Sequence, residues 1–124
     1  MDELHNNMIE LMQNPTHMGE MERPSGIGHV QSDCGDWVRM QVKLGEGNVI
    51  SQTKFIAYGC GSAIASAEAI ARLSEGLSID EAEGLTQEDV ITSLGGLPEH
   101  KSHCNAMSHM SFMEALRSCR ELAQ

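Results

Sequence analysis

The hydrophobic period of this chain changes at three residues, Gly59-Cys60-Gly61. Before them, Val38, Met40, Val42 and Leu44 alternate with Arg39, Gln41 and Lys43, the period of two expected of a strand with one buried face. GEGN at 45–48 is a turn signal, and VISQTKFIAY at 49–58 reads as the returning strand. A shorter stretch, IGHVQS at 27–32, is able to add a third antiparallel strand. After Gly61 the pattern turns helical: Ile64, Ala67, Ile70 and Ala71 share one broad face, and Gly76 is a stop. Thr86 with Asp89 resembles a capping box, Asp standing in for Glu, at the head of a short helix that ends near Gly95-Gly96. Beyond Pro98 a last helix is expected over about 102–122, with Phe112, Met113, Leu116 and Cys119 on one stripe. At the other end, Leu4, Met8, Ile9, Leu11 and Met12 predict a helix over 3–13, stopped by Asn14-Pro15. Strands first and helices afterwards predict an α+β fold, and with no repeat or linker residues 1–124 read as one domain.

A packing cysteine usually lies inside an element, whereas Cys60 lies at a boundary with glycine on both sides, as if its thiol were presented. What it meets is narrowed by charge and compartment. The formal net charge of −10 argues against nucleic acid, which needs a basic footprint. It allows steering towards a basic protein surface. No apolar run has the length of a membrane span. The opening MDELHNNMIE is acidic and amphipathic, unlike a signal or transit peptide. The expected location is therefore the reducing cytoplasm. There, four cysteines point to metal or redox chemistry, with two disulfides as the alternative.

Three of the cysteines occupy element boundaries: Cys34 in DCGDW before the alternating strand, Cys60 after the returning strand, and Cys104 in KSHC at the start of the last helix. Two connections and a helix N-terminus can meet at one end of a sheet, although none of the three shows CxxC spacing. Asp36 follows Cys34 across a glycine, and His103 adjoins Cys104. Near helix N-termini the macrodipole favours thiolate over thiol at Cys60 and Cys104, and Lys101 adds to this at Cys104. Three thiolates with a carboxylate or imidazole make a four-coordinate site suited to zinc or iron–sulfur. Asp36 can equally be only a turn former, and His103 a solvated residue of a first helical turn. His5, His17, His29, His100 and His109 show no mutual spacing that demands a metal and read as surface residues. Cys119 lies 15 residues beyond Cys104, roughly 22 Å along an unbroken helix, and reads as a packing residue.

NPTHMGEM at 14–21, CGD at 34–36, YGCGSAIAS at 58–66 and LPEHKSHC at 97–104, in this order, resemble the IscU/NifU-type iron–sulfur cluster assembly scaffolds. The resemblance covers nearly the whole chain. It implies a three-stranded antiparallel sheet with helices packed on it, and a [2Fe–2S] cluster held by Cys34, Cys60 and Cys104 and passed on to recipient apoproteins. Asp36 and His103 occupy the positions of the family's non-cysteine ligand candidates. Cys104, with Lys101 beside it, is the implied acceptor of persulfide sulfur from a cysteine desulfurase, so the protein is a carrier rather than an enzyme. An iron donor is implied as a further partner, and a monomer and a dimer both remain open. The interval from Cys60 to Cys104 leaves no room for the insertion of the SufU-like branch, and the further domains of full-length NifU are not expected. LPEHK departs from the LPPVK segment that a specialised Hsp70 chaperone reads in bacterial IscU, which weakens the case for that partner. Trp37 stands where a smaller residue is expected, and Cys119 lies outside the three-cysteine pattern.

Two other readings use the same residues. The ligands suit Zn²⁺, either in a closed structural module or in the cluster-free scaffold. A thiol enzyme would use Cys104 as nucleophile, His103 as base and Asp36 as orienter. Adjacent residues on one helix project about 100° apart, which makes Cys104 and His103 a poor pair.

Overall fold

The computed structural model of the protein describes residues 10–33, 35–59, 61–95 and 102–122, with the backbone alone at 102–104 and 122. Three strands, β1 (Gly26–Gln31), β2 (Trp37–Leu44) and β3 (Ile50–Tyr58), form an antiparallel sheet in the order β1-β2-β3. Four helices follow: α1 (Gly61–Ser74), α2 (Ile79–Glu83), α3 (Gln87–Leu94) and α4 (Ser102–Leu122). The α+β reading and the third strand both hold. Of the helix expected over 3–13, residues 10–13 are helical and the rest lies outside the described residues.

The alternation in β2 sends Val38, Met40 and Val42 into a core shared with Phe55, Ile70, Phe112 and Leu116. Its opposite face is not wholly open. Gln41 is buried because residues 17–21 fold across it: its Nε2 donates to the Gly19 carbonyl and its Oε1 accepts from the Met21 amide. The same segment pairs with β3, Phe55 N–H donating to the His17 carbonyl and Gly19 N–H to that of Phe55.

The Thr86–Asp89 capping box forms as expected, and Gly95 ends α3 in the left-handed conformation. The sequence reading missed α2. Its five residues are too few to show a hydrophobic period, yet Ser78 and Glu81 make a complete capping box at its head.

Helix α4 crosses β1 and β2 at close range. Ser111 Oγ accepts from Met40 N–H and lies within hydrogen-bond distance of the Gly28 and Val38 carbonyls. A Cβ on Gly28 would lie 1.9 Å from the Ser111 carbonyl oxygen and 2.6 Å from the Ala115 nitrogen. Neither backbone atom can rotate away, so an alanine there must push helix and sheet apart. Gly28→Ala is expected to cost about 3 kcal/mol, a fall in Tm of roughly 10 °C in a domain of this size. Gly45→Ala, whose new Cβ would meet nothing closer than 3.6 Å, is the control. Thermal unfolding followed by circular dichroism compares them, and equal melting temperatures would mean that the close approach carries no weight.

Candidate functional site

Gln31, Trp37 and Tyr58 face one another across the three strands and form the last rung at one end of the sheet. The β1–β2 connection that contains Cys34 and the β3–α1 turn that contains Cys60 both leave from this rung. Helix α4 is oriented to the same end. Cys119 and Ala115 lie over Gly26, Ser111 lies over Gly28, and Ser108 Oγ donates to the Ala63 carbonyl in the first turn of α1. Cys104 is on the α4 backbone one helical turn before Ser108. The three boundaries singled out in the sequence thus meet at one end of the fold. Cys34 and Cys60, with Lys101, lie outside the described residues, as do the side chains of His103 and Cys104.

Asp36 is described, and its position explains a glycine. Residues 32–36 form a tight turn: Gly35 N–H donates to the Ser32 carbonyl, and Ser32 N–H and Oγ donate to the Asp36 carbonyl. Gly35 has φ +100°, a conformation that side chains strongly disfavour. The turn lays the half-buried Asp36 carboxyl against Gly59, where a Cβ would lie 2.9 Å from its Cγ and 3.0 Å from Oδ2. On the far side of Cys60, a Cβ on Gly61 would lie 2.2 Å from Met12 Sδ. A side chain at position 59 would thus meet Asp36, and one at position 61 the Met12 thioether. Asp36 is therefore packed beside the residue that precedes Cys60.

On the open face of the last rung, Trp37 stacks between His29, with ring centroids 5.3 Å apart, and Tyr58, at 6.5 Å. The Arg39 guanidinium lies 5.8 Å from the Trp37 ring centre. The departure at position 37 thus builds an aromatic row beside the two turns, with Tyr58 66% exposed.

Cys119 is buried, and burial pushes its thiol up from the ordinary value, which suits packing and not ligation. Two histidines read as surface residues are placed otherwise. His109 Nε2 donates to the Leu85 carbonyl at 2.7 Å. His17 is only 18% exposed, and both its ring nitrogens face carboxylates, Nδ1 at 2.6 Å from Glu68 and Nε2 at 3.1 Å from Glu75. Only the imidazolium donates from both nitrogens. Burial opposes that charge, but Glu68 and Glu75 outweigh it and hold His17 above its ordinary value. Glu68 is fully buried, yet donors from His17, Thr16 and Arg72 keep its carboxyl below the usual range against the cost of burial. Sequence reasoning missed Glu68. The available signal was a carboxylate within the small-residue run SAIASAEAIA, with Arg72 four residues on.

Among the described residues, no three His, Cys, Asp or Glu side chains are grouped to hold a metal ion, and no helix is long and apolar enough to cross a membrane. The family model described as the NifU-like N terminal domain matches residues 3–122. The chain belongs to that family. It is 37% identical over 109 residues to the nitrogen fixation protein NifU of Azotobacter chroococcum, covering 86% of this chain and 35% of that one. It is 33% identical over 110 residues to the iron–sulfur cluster assembly scaffold protein IscU 1 of Archaeoglobus fulgidus, covering 88% of this chain and 71% of that one. The chain therefore spans about a third of the first relative and under three quarters of the second. The crystal structure of a NifU-like protein (N-terminal) from Brucella abortus superposes with a TM-score of 0.78 at 17% identity, over 97% of this chain and 96% of that one, a likeness of fold.

Proposed function

We propose that this chain is a single-domain scaffold on which [2Fe–2S] clusters are assembled and from which they pass to recipient apoproteins. The observation that carries this reading is the meeting of the Cys34 connection, the Cys60 turn and the start of α4 at one end of the sheet, with Asp36 packed against the Cys60 turn. Family membership supports it, and relatives of this chain bear the name of iron–sulfur cluster assembly scaffold.

The chemistry follows from the residue types. The thiolates of Cys34, Cys60 and Cys104 are soft ligands for iron and sulfide. A carboxylate is a harder and poorer partner, so Asp36, as fourth ligand or gate, keeps the cargo releasable. His103 is the other candidate for the fourth position. Cys104 lies in the first turn of a 21-residue helix, where the dipole favours the thiolate that would accept sulfur from a cysteine desulfurase. Iron comes from a separate donor. The chain itself acts as a carrier, and Zn²⁺ suits the same ligands when no cluster is held.

Anaerobic reconstitution with iron, cysteine and a desulfurase tests this, read by mass spectrometry under non-denaturing conditions. The expected species carries two irons and two sulfides, and loading alters the fluorescence of Trp37, which adjoins Asp36 on the last rung. Asp36→Ala should load and then transfer to an acceptor apoprotein more slowly. Transfer as fast as in the parent protein would remove Asp36 from that role, and a colourless zinc form that never takes up a cluster would favour a structural zinc module.

A further inference from the structure

Residues 14–21 form a strap that runs along the outer edge of β3 and then turns onto Gln41. Along β3 it makes one parallel pairing, Met18 with Phe55. Phe55 N–H donates to the His17 carbonyl at 3.0 Å, and Gly19 N–H to the Phe55 carbonyl at 2.8 Å. Its return to β1 passes through Arg23, held at φ +51° directly before Pro24, a strained conformation for a residue with a side chain. Two backbone bonds hold an edge weakly, so side chains decide whether the strap stays. His17 is the centre of these. Its Nδ1 lies 2.6 Å from Glu68 of α1, and its Nε2 lies 3.1 Å from Glu75, just past the end of α1. Thr16 Oγ1 and His17 N–H also donate to Glu68, at 3.1 and 3.0 Å. Arg72 shares Glu68 at 2.8 Å, donates to the Asn14 carbonyl and pairs with Glu10 at 3.4 Å. The other oxygen of Glu75 accepts from Thr53 N–H of β3. The charged groups around the imidazole are thus Glu68, Glu75 and Arg72, with Glu10 behind Arg72, while β3 brings the Phe55 amide to the His17 carbonyl.

We propose that residues 14–21 are a detachable edge strap of the sheet, fastened by the protonated form of His17 and released as the pH rises. Only the imidazolium donates from both ring nitrogens. When its proton is lost, one nitrogen keeps a hydrogen and the other turns a lone pair towards a carboxylate oxygen, so an attractive contact becomes a repulsive one. Glu68 is fixed by its other donors, Thr16 Oγ1, His17 N–H and Arg72, whereas Glu75 is 32% exposed and turns readily to water. The contact that fails is therefore the one at Nε2. With it goes the tie between Glu75 and Thr53 N–H, two residues before Phe55 in β3. Release leaves the Phe55 amide and carbonyl at an open strand edge and uncovers Gln41, which the strap otherwise buries through Gly19 and Met21. Glu68, Glu75 and Arg72 are positioning residues, acting on the strap through His17 and its neighbours.

The test is hydrogen exchange, followed amide by amide by NMR from pH 6 to 8.5 with the intrinsic pH dependence of exchange removed. Protection of the Phe55 and Gly19 amides should fall roughly fivefold across this range. The Met40 amide, bonded to Ser111 Oγ in the core, should keep its protection. Glu75→Gln separates the charge from the packing. Its amide offers an oxygen to Thr53 N–H and a donor to the bare Nε2 of a neutral histidine, so its strap should be held as well at pH 8.5 as at pH 6, or better. His17→Gln, uncharged at every pH, should show the low Phe55 protection of the alkaline parent throughout. Phe55 protection that is flat with pH in the parent overturns the proposal, and so does a fall shared equally by Met40, which is unfolding of the whole molecule. A Glu75→Gln protein that follows the parent's pH curve also overturns it, because the titrating contact then lies elsewhere. None of these readouts involves a cluster, so this inference and the scaffold reading stand or fall separately.

Discussion

Serine in place of Cys34, Cys60 or Cys104 is expected to leave a folded protein that no longer retains a cluster, whereas Cys119→Ser loads nearly as well as the parent. A serine hydroxyl is a hard oxygen donor that stays protonated near neutrality, so it supplies neither the softness nor the charge of a thiolate. Cys119 is placed for packing. It is buried, its sulfur lies against Gly26, and burial raises its thiol above the ordinary value, away from the ionised form that binds metal. Burying a hydroxyl in its place costs about 1 to 3 kcal/mol, a loss of stability that leaves the far end of α4 unchanged. Iron and acid-labile sulfide per folded molecule, after anaerobic reconstitution, separate the two effects. Loading in Cys119→Ser as poor as in the other three variants would place Cys119 in the site, and normal loading in any of those three would remove that cysteine from it.

The sheet was legible because a period of two is a local signal, and β1, β2 and β3 lie where the alternation puts them. Helix α4 was legible for the same reason, through one long stripe from Phe112 to Cys119. Packing was not. Glu68 was passed over, yet it is fully buried because a segment some fifty residues away lies across α1. Gln41 reads as the polar face of β2, yet the same segment covers it. Gln41 has no local signature and Glu68 only that of a carboxylate inside a small-residue run, since both burials depend on where the chain returns after Asn14-Pro15.

The site divides in the same way. That Cys34, Cys60 and Cys104 sit at boundaries was visible in the residues, and motif likeness supplied their grouping. The partners of Gly59 and Gly61 were not visible, because a glycine in a sequence says that something comes close without saying what. Here Asp36 comes close to one and Met12 to the other. The first of these contacts connects the fold to the proposed chemistry, because it sets the carboxyl proposed as the hard ligand against the residue before Cys60.

The buried Glu68 carboxyl, shared by His17 and Arg72, makes a second large effect, and its sign with pH follows from the directions of two shifts. Glu68→Ala leaves the part-buried His17 and Arg72 facing a cavity. Breaking a buried charge pair costs about 3 to 5 kcal/mol, and the low end is expected because Arg72 is 37% exposed and turns to water. The pH dependence is the sharper reading. His17 is raised above its ordinary 6.5, so its contribution is fully present below pH 6.5 and is lost as the pH rises through the raised value. Glu68 is lowered from its ordinary 4.5, so its contribution is present above pH 4.5 and is lost as the pH falls through the lowered value. The His17–Glu68 pair therefore adds most between these limits. Urea unfolding of the parent protein and of Glu68→Gln, from pH 5 to 8.5, should give a stability difference that is largest near pH 5 to 6 and shrinks towards alkaline pH. Some difference remains there, because Arg72 still pairs with Glu68 after His17 is neutral. A difference that is flat, or that grows with pH, would mean that His17 carries no charge in the folded protein and meets Glu68 only through a neutral imidazole.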